Sequence, residues 1–222
     1  MKFTKDEIRN SMLLYAVTDR MWLKEGESLV SVAEDVLKNG ATFLQIREKD
    51  LEEGAFEEEA EKLRTLCASY RVPFVVNDSV EIALQCNADG VHVGQSDIKG
   101  RDIRAIIGPD KILGISAGTV EQAKAAEAAG ADYIGVGAVF ATGTKKNAKN
   151  ISMEQFREIS DSVSIPVVAI GGINAGNMLE LKGSGADGVA VVSAIFAAED
   201  PGKATAELLA LAKELVVRGS DE

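Results

Sequence analysis

Gly40-Ala41-Thr42-Phe43, Asn87-Ala88-Asp89-Gly90, Gly130-Ala131-Asp132-Tyr133 and Gly185-Ala186-Asp187-Gly188 are four versions of one short phrase. Each follows a helix-like stretch and precedes a short apolar run: Phe43 to Ile46, Val91 to Val93, Ile134 to Val136 and Val189 to Val192. The leading Gly or Asn ends a helix because it accepts the left-handed conformation of a C-cap, and the residues after it turn the chain into a strand. Four matching helix-to-strand turns in one chain mean a repeated unit.

A second kind of strand lies between them: Leu13 to Thr18, Pro73 to Asn77, Ile112 to Ser116 and Pro166 to Ile170. Val72-Pro73-Phe74 and Ile165-Pro166-Val167 share a lead-in, with proline at the first strand residue, where no ladder hydrogen bond is lost. Amphipathic segments such as Val120 to Ala129 and Ala204 to Val217 separate the strands. The phrase recurs roughly every 45 to 55 residues, which is about two βα units. Eight such units predict a (β/α)₈ TIM barrel. An open doubly wound sheet is the rival, and it gives no reason for matching turns before every even-numbered strand. Residues 1–12 read as a short helical extension covering the barrel bottom and residues 13–222 as the barrel. With no linker or low-complexity run, the expectation is a single domain over 1–222.

The 222 residues are 46% hydrophobic and 27% charged, ordinary for a globular protein with one large core. No apolar run reaches bilayer-spanning length, and Met1 to Glu7 lacks a signal-peptide profile, so a cytoplasmic protein with no membrane partner is expected. A net charge of −11 argues against nucleic acid, which needs a basic face. A small phosphorylated ligand remains compatible, because salt screens distant surface charge over about 10 Å. Cys67 and Cys86 have no metal-like spacing and read as reduced structural thiols.

In such barrels chemistry sits at the C-terminal ends of the strands. The second strand runs out into Gln45-Ile46-Arg47-Glu48-Lys49. A two-residue period sends Gln45, Arg47 and Lys49 to one side; if Ile46 faces the helices, Gln45 and Arg47 face the barrel axis. A buried Arg needs an anion or a carboxylate, and the competing partner is Glu48 or Asp78. The third strand ends in Asn77-Asp78 and the fourth is followed by Asp97. Either Asp has a plain reading as a helix cap, with Ser79 as another candidate for the first and a helix beginning at Ile98 for the second. Two carboxylates on neighbouring strand tops also suit one magnesium ion that completes its shell with water and phosphate.

The loop after the sixth strand contains Thr142-Gly143-Thr144-Lys145, whose hydroxyls, amides and cation suit a phosphate unless the loop is merely solvated. It is also a candidate lid. Gly171-Gly172 and Val192-Ser193 follow the seventh and eighth strands, where this fold often binds phosphate. Two anion sites suggest two phosphorylated substrates. His92, the only histidine, sits among apolar neighbours and reads as a satisfied core residue, which excludes chemistry built on paired imidazoles. Trp22 follows the first strand and is left as either mouth-lining or packing.

Taken in order, Tyr15-Ala16-Val17-Thr18-Asp19, Gln45 to Lys49, Val76-Asn77-Asp78, Gly90 to Asp97, Gly135-Val136-Gly137 with Thr142 to Lys145, and Ala169-Ile170-Gly171-Gly172-Ile173 resemble the thiamine-phosphate synthase family. The resemblance implies a transferase of thiamine biosynthesis. Such an enzyme joins 4-amino-2-methyl-5-hydroxymethylpyrimidine diphosphate to 4-methyl-5-hydroxyethylthiazole phosphate and releases pyrophosphate. It implies a pyrimidine diphosphate site at Gln45, Arg47, Glu48, Lys49, Asn77, Ser116 and Lys145, and one magnesium ion at Asp78 and Asp97. Thiazole phosphate falls to Thr142, Gly143, Thr144, Gly172, Val192 and Ser193, and the catalytic positions are Arg47, Lys49, Ser116 and Lys145. Two departures stand out. Many relatives carry a His where this chain has Gly118, and prolines where it has Ala138 and Ala141. The missing His argues against a thiazole tautomerase-like enzyme, which wants a proton shuttle; a non-catalytic thiamine-phosphate binder is the other alternative. Oligomeric state is left open by the sequence.

Overall fold

The computed structural model describes residues 3–141 and 150–216. Eight parallel strands close on themselves in sequence order: β1 Leu14–Val17, β2 Phe43–Ile46, β3 Phe74–Asn77, β4 Gly90–Val93, β5 Ile112–Ala117, β6 Tyr133–Gly137, β7 Val167–Ile170 and β8 Gly188–Val191. Around them lie α1 Lys5–Ser11, α2 Leu29–Lys38, α3 Glu53–Tyr70, α4 Val80–Gln85, α5 Ile103–Ile107, α6 Val120–Ala128, α7 Met153–Asp161, α8 Ser193–Phe196 and α9 Pro201–Leu215. Short 3₁₀ turns occupy Arg20–Trp22 and Met178–Leu181. The architecture is the expected (β/α)₈ barrel. Among the described residues no helix is long and apolar enough to cross a membrane.

The repeated phrase does what its composition requires. Gly40, Asn87, Gly130 and Gly185 have φ of +103°, +52°, +81° and +86°, the left-handed region that favours Gly and tolerates Asn. The third residue of each phrase then locks onto the preceding odd-numbered strand by a reciprocal pair of hydrogen bonds. Thr42 N–H donates to the Leu14 carbonyl at 2.9 Å while Leu14 N–H donates to Thr42 Oγ1 at 2.8 Å. Asp89 and Phe74 exchange the same pair at 3.0 and 3.0 Å, Asp132 and Leu113 at 2.7 and 2.8 Å, and Asp187 and Val167 at 2.8 and 2.9 Å. A side chain thereby satisfies a backbone donor at the start of every odd strand that would otherwise be orphaned.

This clamp fixes register, and register decides which side chains face inward. Tyr15, Phe43, Val75, Ile112, Tyr133, Val168 and Ala190 fill the barrel, while Leu14, Leu44, Ile46, Phe74, Leu113 and Val189 pack against the helices. Ile8 and Met12 join the inner cluster, so α1 closes the bottom. Thr4 caps α1 in a reciprocal box with Glu7, and Arg9 reaches Asp187 at 2.6 Å, tying the extension to the fourth clamp.

Two expected helices begin elsewhere. The Ile98 segment is a turn, and α5 starts only at Ile103, because Gly100 at φ +71° breaks the chain direction and Asp102 caps the helix through Ala105 N–H. The last helix begins at Pro201 rather than Ala204, since Asp200 caps it and proline suits its first turn.

Asp132→Ala removes a clamp acceptor that also receives Arg104 Nη2 at 2.7 Å. The side chain is 11% exposed, so the loss is expected to lower unfolding free energy by about 2 to 3 kcal/mol in urea titrations. A change under about 0.5 kcal/mol, the size of an ordinary surface substitution, would mean the clamp does not constrain the barrel.

Candidate active site

Strand parity carries Gln45 and Arg47 to the inside and Ile46 to the helix layer. Gln45 is buried, and Arg47 is half-buried with its guanidinium 3.6 Å from Asp19 Oδ2. Asp19, at the end of β1, is the partner that the sequence reading did not find; it considered Glu48 and Asp78. The neighbouring strands bring it there, since Val17 pairs with Gln45 and the chain runs two residues further on each side. Thr18 Oγ1 accepts from Arg47 N–H at 3.1 Å, which holds that backbone in place.

Glu48 points the other way. Its carboxylate receives Arg20 Nε at 2.5 Å, Lys49 N–H at 2.9 Å and Asp50 N–H at 3.3 Å, and its side chain is 2% exposed. Arg20 also bonds Glu59 on α3. Glu48 therefore braces the loop that presents Lys49, instead of reaching the axis. Lys49 itself is exposed at the rim.

Asp78 and Asp97 come together. Ser79, whose Oγ accepts from Ile82 N–H at 3.2 Å, caps α4 and leaves Asp78 free of that duty. Asp97 caps no helix: its Oδ2 accepts from Gly94 N–H at 2.8 Å and closes the turn after β4. Asp78 adopts φ +63°, unusual for a residue with a side chain, and its carboxyl is near enough to that of Asp97 to feel its charge. Desolvation first, then repulsion and a hydrogen bond from Asp97, hold the Asp78 carboxyl above its ordinary range, while Asn77 and Lys49 pull it down. Asp78 as a residue is open to solvent, so water damps the repulsion without reversing it. A rim carboxyl pair whose members repel each other is chemically matched to a hard divalent cation. No group of three His, Cys, Asp or Glu assembles among the described residues, so such a cation would take two carboxylates and fill its shell otherwise.

Asn77 ends β3, half-buried beside Asp78. Ser116 lies inside β5, its Oγ 2.9 Å from His92 Nε2. Across the mouth, a Cβ on Gly172 would lie 2.4 Å from the Ala141 carbonyl oxygen, so only glycine lets the loops after β6 and β7 approach this closely. Val192 and Ser193 follow β8, Ser193 exposed. Thr142, Gly143, Thr144 and Lys145 lie outside the described residues. Trp22 is partly exposed next to Asp19. A cavity of about 570 Å³ opens at the other end of the molecule, around Arg64, Asn87, Lys111 and Ile112, and contains none of these groups.

The mouth thus gathers cations, amides and a carboxyl pair after β1 to β5, with a glycine-built turn after β7 opposite. Comparison with known proteins identifies the family. The family model for thiamine monophosphate synthase matches residues 14–195. Thiamine-phosphate synthase from Ruminiclostridium cellulolyticum is 50% identical over 196 residues, 88% of this chain and 92% of that relative. The Clostridium tetani enzyme of the same name is 48% identical over 195 residues, 88% and 93% of the two chains. The solved thiamine phosphate pyrophosphorylase from Pyrococcus furiosus superposes with a TM-score of 0.86 at 41% identity, covering 94% of this chain and 99% of that one. With the match running from the first strand to the helix after the last, this chain belongs to the thiamine monophosphate synthase family.

Proposed function

We propose that this protein is a thiamine-phosphate synthase, a transferase that displaces pyrophosphate from the aminopyrimidine diphosphate with the thiazole phosphate. The observation that carries the reading is the mutually repelling Asp78–Asp97 carboxyl pair at the mouth onto which inward-facing Arg47 opens. Asp78 and Asp97 would hold one magnesium ion, which when bound neutralises charge on the departing diphosphate. Arg47, steered by Asp19, and Lys49, presented by the Glu48 brace, supply fixed positive charge to the same oxygens. Lys145 is assigned there by the family resemblance. Asn77 donates from the neighbouring strand end. Gln45 and Ser116 hold the pyrimidine ring.

The carbon under attack is benzylic in character, and the ring amino group feeds electrons toward it. The carbon–oxygen bond to the diphosphate breaks early, its electron pair leaving with pyrophosphate, and the thiazole nitrogen lone pair forms the new carbon–nitrogen bond. No general base is required. The Gly172 turn, Val192 and Ser193, with Thr142, Gly143 and Thr144, hold the second substrate by its phosphate. Positioning and electrostatics together account for on the order of ten kcal/mol of barrier lowering.

The direct test incubates the protein with both substrates and magnesium, oxidises the products and reads thiochrome fluorescence, with EDTA in a parallel sample. Signal abolished by EDTA is expected. No signal from substrates shown to be intact would sink the synthase and favour a tautomerase-like or binding protein.

A second outcome follows from the raised Asp78 pKa. Between the ordinary value of 3.8 and the raised one, the folded state binds more protons than the unfolded. Stability therefore falls as pH rises through that window, and the penalty is complete above it. Asn tolerates the left-handed backbone of Asp78, so Asp78→Asn is expected to raise Tm at pH 8 in EDTA, by on the order of 2 °C. It is also expected to remove the Tm increase that magnesium gives the unaltered protein. A lowered Tm, or a magnesium response that persists, would contradict the paired-carboxylate site.

A further inference from the structure

Five side chains from five strands form one hydrogen-bonded chain across the inside of the barrel. Gln45 Nε2 donates to Tyr15 Oη at 2.6 Å, and Tyr15 Oη lies 2.8 Å from Tyr133 Oη. Tyr133 Oη is 2.9 Å from His92 Nδ1, and His92 Nε2 is 2.9 Å from Ser116 Oγ. The two ends, Gln45 and Ser116, are the residues assigned above to the pyrimidine. The three between them have no role in that assignment.

Space for this chain is built in. A Cβ on Gly114 would lie 2.2 Å from Tyr133 Cζ and 2.5 Å from His92 Nδ1, and one on Gly135 would lie 3.2 Å from His92 Cε1. Phe43 packs edge-on against Tyr133, with ring centroids 5.7 Å apart, and tilted against Tyr15 at 4.4 Å, so the phenol rings are held from the side. Both phenols are buried, and burial pushes each pKa up. Each therefore keeps one O–H hydrogen throughout the working range.

Counting those hydrogens gives the chain a direction. Gln45 donates to Tyr15, whose only other polar partner among the described residues is Tyr133, so the Tyr15 hydrogen goes to Tyr133 Oη. Tyr133 then spends its hydrogen on His92 Nδ1, which accepts. The imidazole proton is left on Nε2, where it donates to Ser116 Oγ. Ser116 keeps its own hydrogen for something else, and Gln45 keeps its carbonyl oxygen and its second N–H.

We infer that Tyr15, Tyr133 and His92 are positioning residues. They fix the hydrogen-bond polarity of the barrel floor, so that Gln45 offers an acceptor and Ser116 a donor. That pair fits a heterocycle carrying an exocyclic amino group together with a ring-nitrogen acceptor. The assignment of this heterocycle rests on the synthase reading; the direction of the chain does not. A hydroxyl left free to rotate would present donor and acceptor equally, and a mismatched ring would cost the site little. With polarity fixed, a wrong ring leaves a buried group unpaired, which is the stronger means of discrimination.

The test uses the single histidine of the untagged protein, labelled with ¹⁵N, whose imidazole signals have no competitors. The expected spectrum is a neutral ring protonated on Nε2 with Nδ1 hydrogen-bonded, and Tyr133→Phe, which deletes only the hydroxyl, shifts the Nδ1 signal. A ring protonated on Nδ1 in the unaltered protein would overturn the proposal, because the chain would then run the other way. That measurement needs no turnover, so it decides the direction even if the synthase assay fails. In kinetics, Tyr133→Phe is expected to lower kcat/KM for the pyrimidine diphosphate roughly tenfold and leave KM for the thiazole phosphate unchanged. Added to Ser116→Ala it is expected to cost less than it does alone, since part of its effect passes through Ser116 and only the Gln45 end remains. Fully multiplying losses would reduce Tyr133 to a packing residue and overturn the relay.

Discussion

The reciprocal clamp between the start of each odd strand and the residue leading into the next even strand is the constraint on which the rest of the molecule depends. It occurs as Leu14–Thr42, Phe74–Asp89, Leu113–Asp132 and Val167–Asp187. Each has one carbonyl, one side-chain oxygen and two amide donors, and each pins the register of two adjacent strands to a single residue. A slip of one position would exchange the interior for the helix layer along a whole strand. Gln45 and Arg47 face inward because of it. So do Tyr15, Tyr133 and His92.

Above the clamps the barrel separates two kinds of electrostatic work. The floor is neutral: two protonated phenols, an imidazole, an amide and a hydroxyl, all hydrogen-bonded in series. The rim is charged. Arg47 is balanced by Asp19 and the Lys49 loop is held by Glu48, itself held by Arg20. Charge is thus kept where a diphosphate would leave and kept away from where a ring would bind. Low dielectric at the floor makes polarity count, and solvent at the rim limits the repulsion between Asp78 and Asp97.

Much of this was legible in the sequence. The four helix-to-strand phrases marked every even-numbered strand, because a left-handed cap favours Gly or Asn and leaves a visible mark. Strand parity placed Gln45 and Arg47 correctly relative to Ile46. What parity does not reveal is which strand-top groups meet across a seam. Arg47 was weighed against Glu48 and Asp78, yet the register of β1 on β2 delivers Asp19. Glu48 follows Arg47 by one residue, so its side chain turns to the helices and meets Arg20, which also holds Glu59, a contact no local spacing encodes. Nothing in the spacing singles out the hydroxyls of Tyr15 and Tyr133, and only closure of the barrel brings β1 against β6 through them. His92 was read as a satisfied core histidine, and it is satisfied. Its partners on β5 and β6 needed the glycines at 114 and 135 to be seen in three dimensions.

The central claim is that Asp78, Asp97 and Arg47 together form a site for a metal-bound diphosphate. Isothermal titration of inorganic pyrophosphate into the protein, with and without magnesium, tests it most directly. Binding that appears only with magnesium, and is lost in Arg47→Ala, is the expected result. Equal affinity in EDTA and in magnesium would contradict the account.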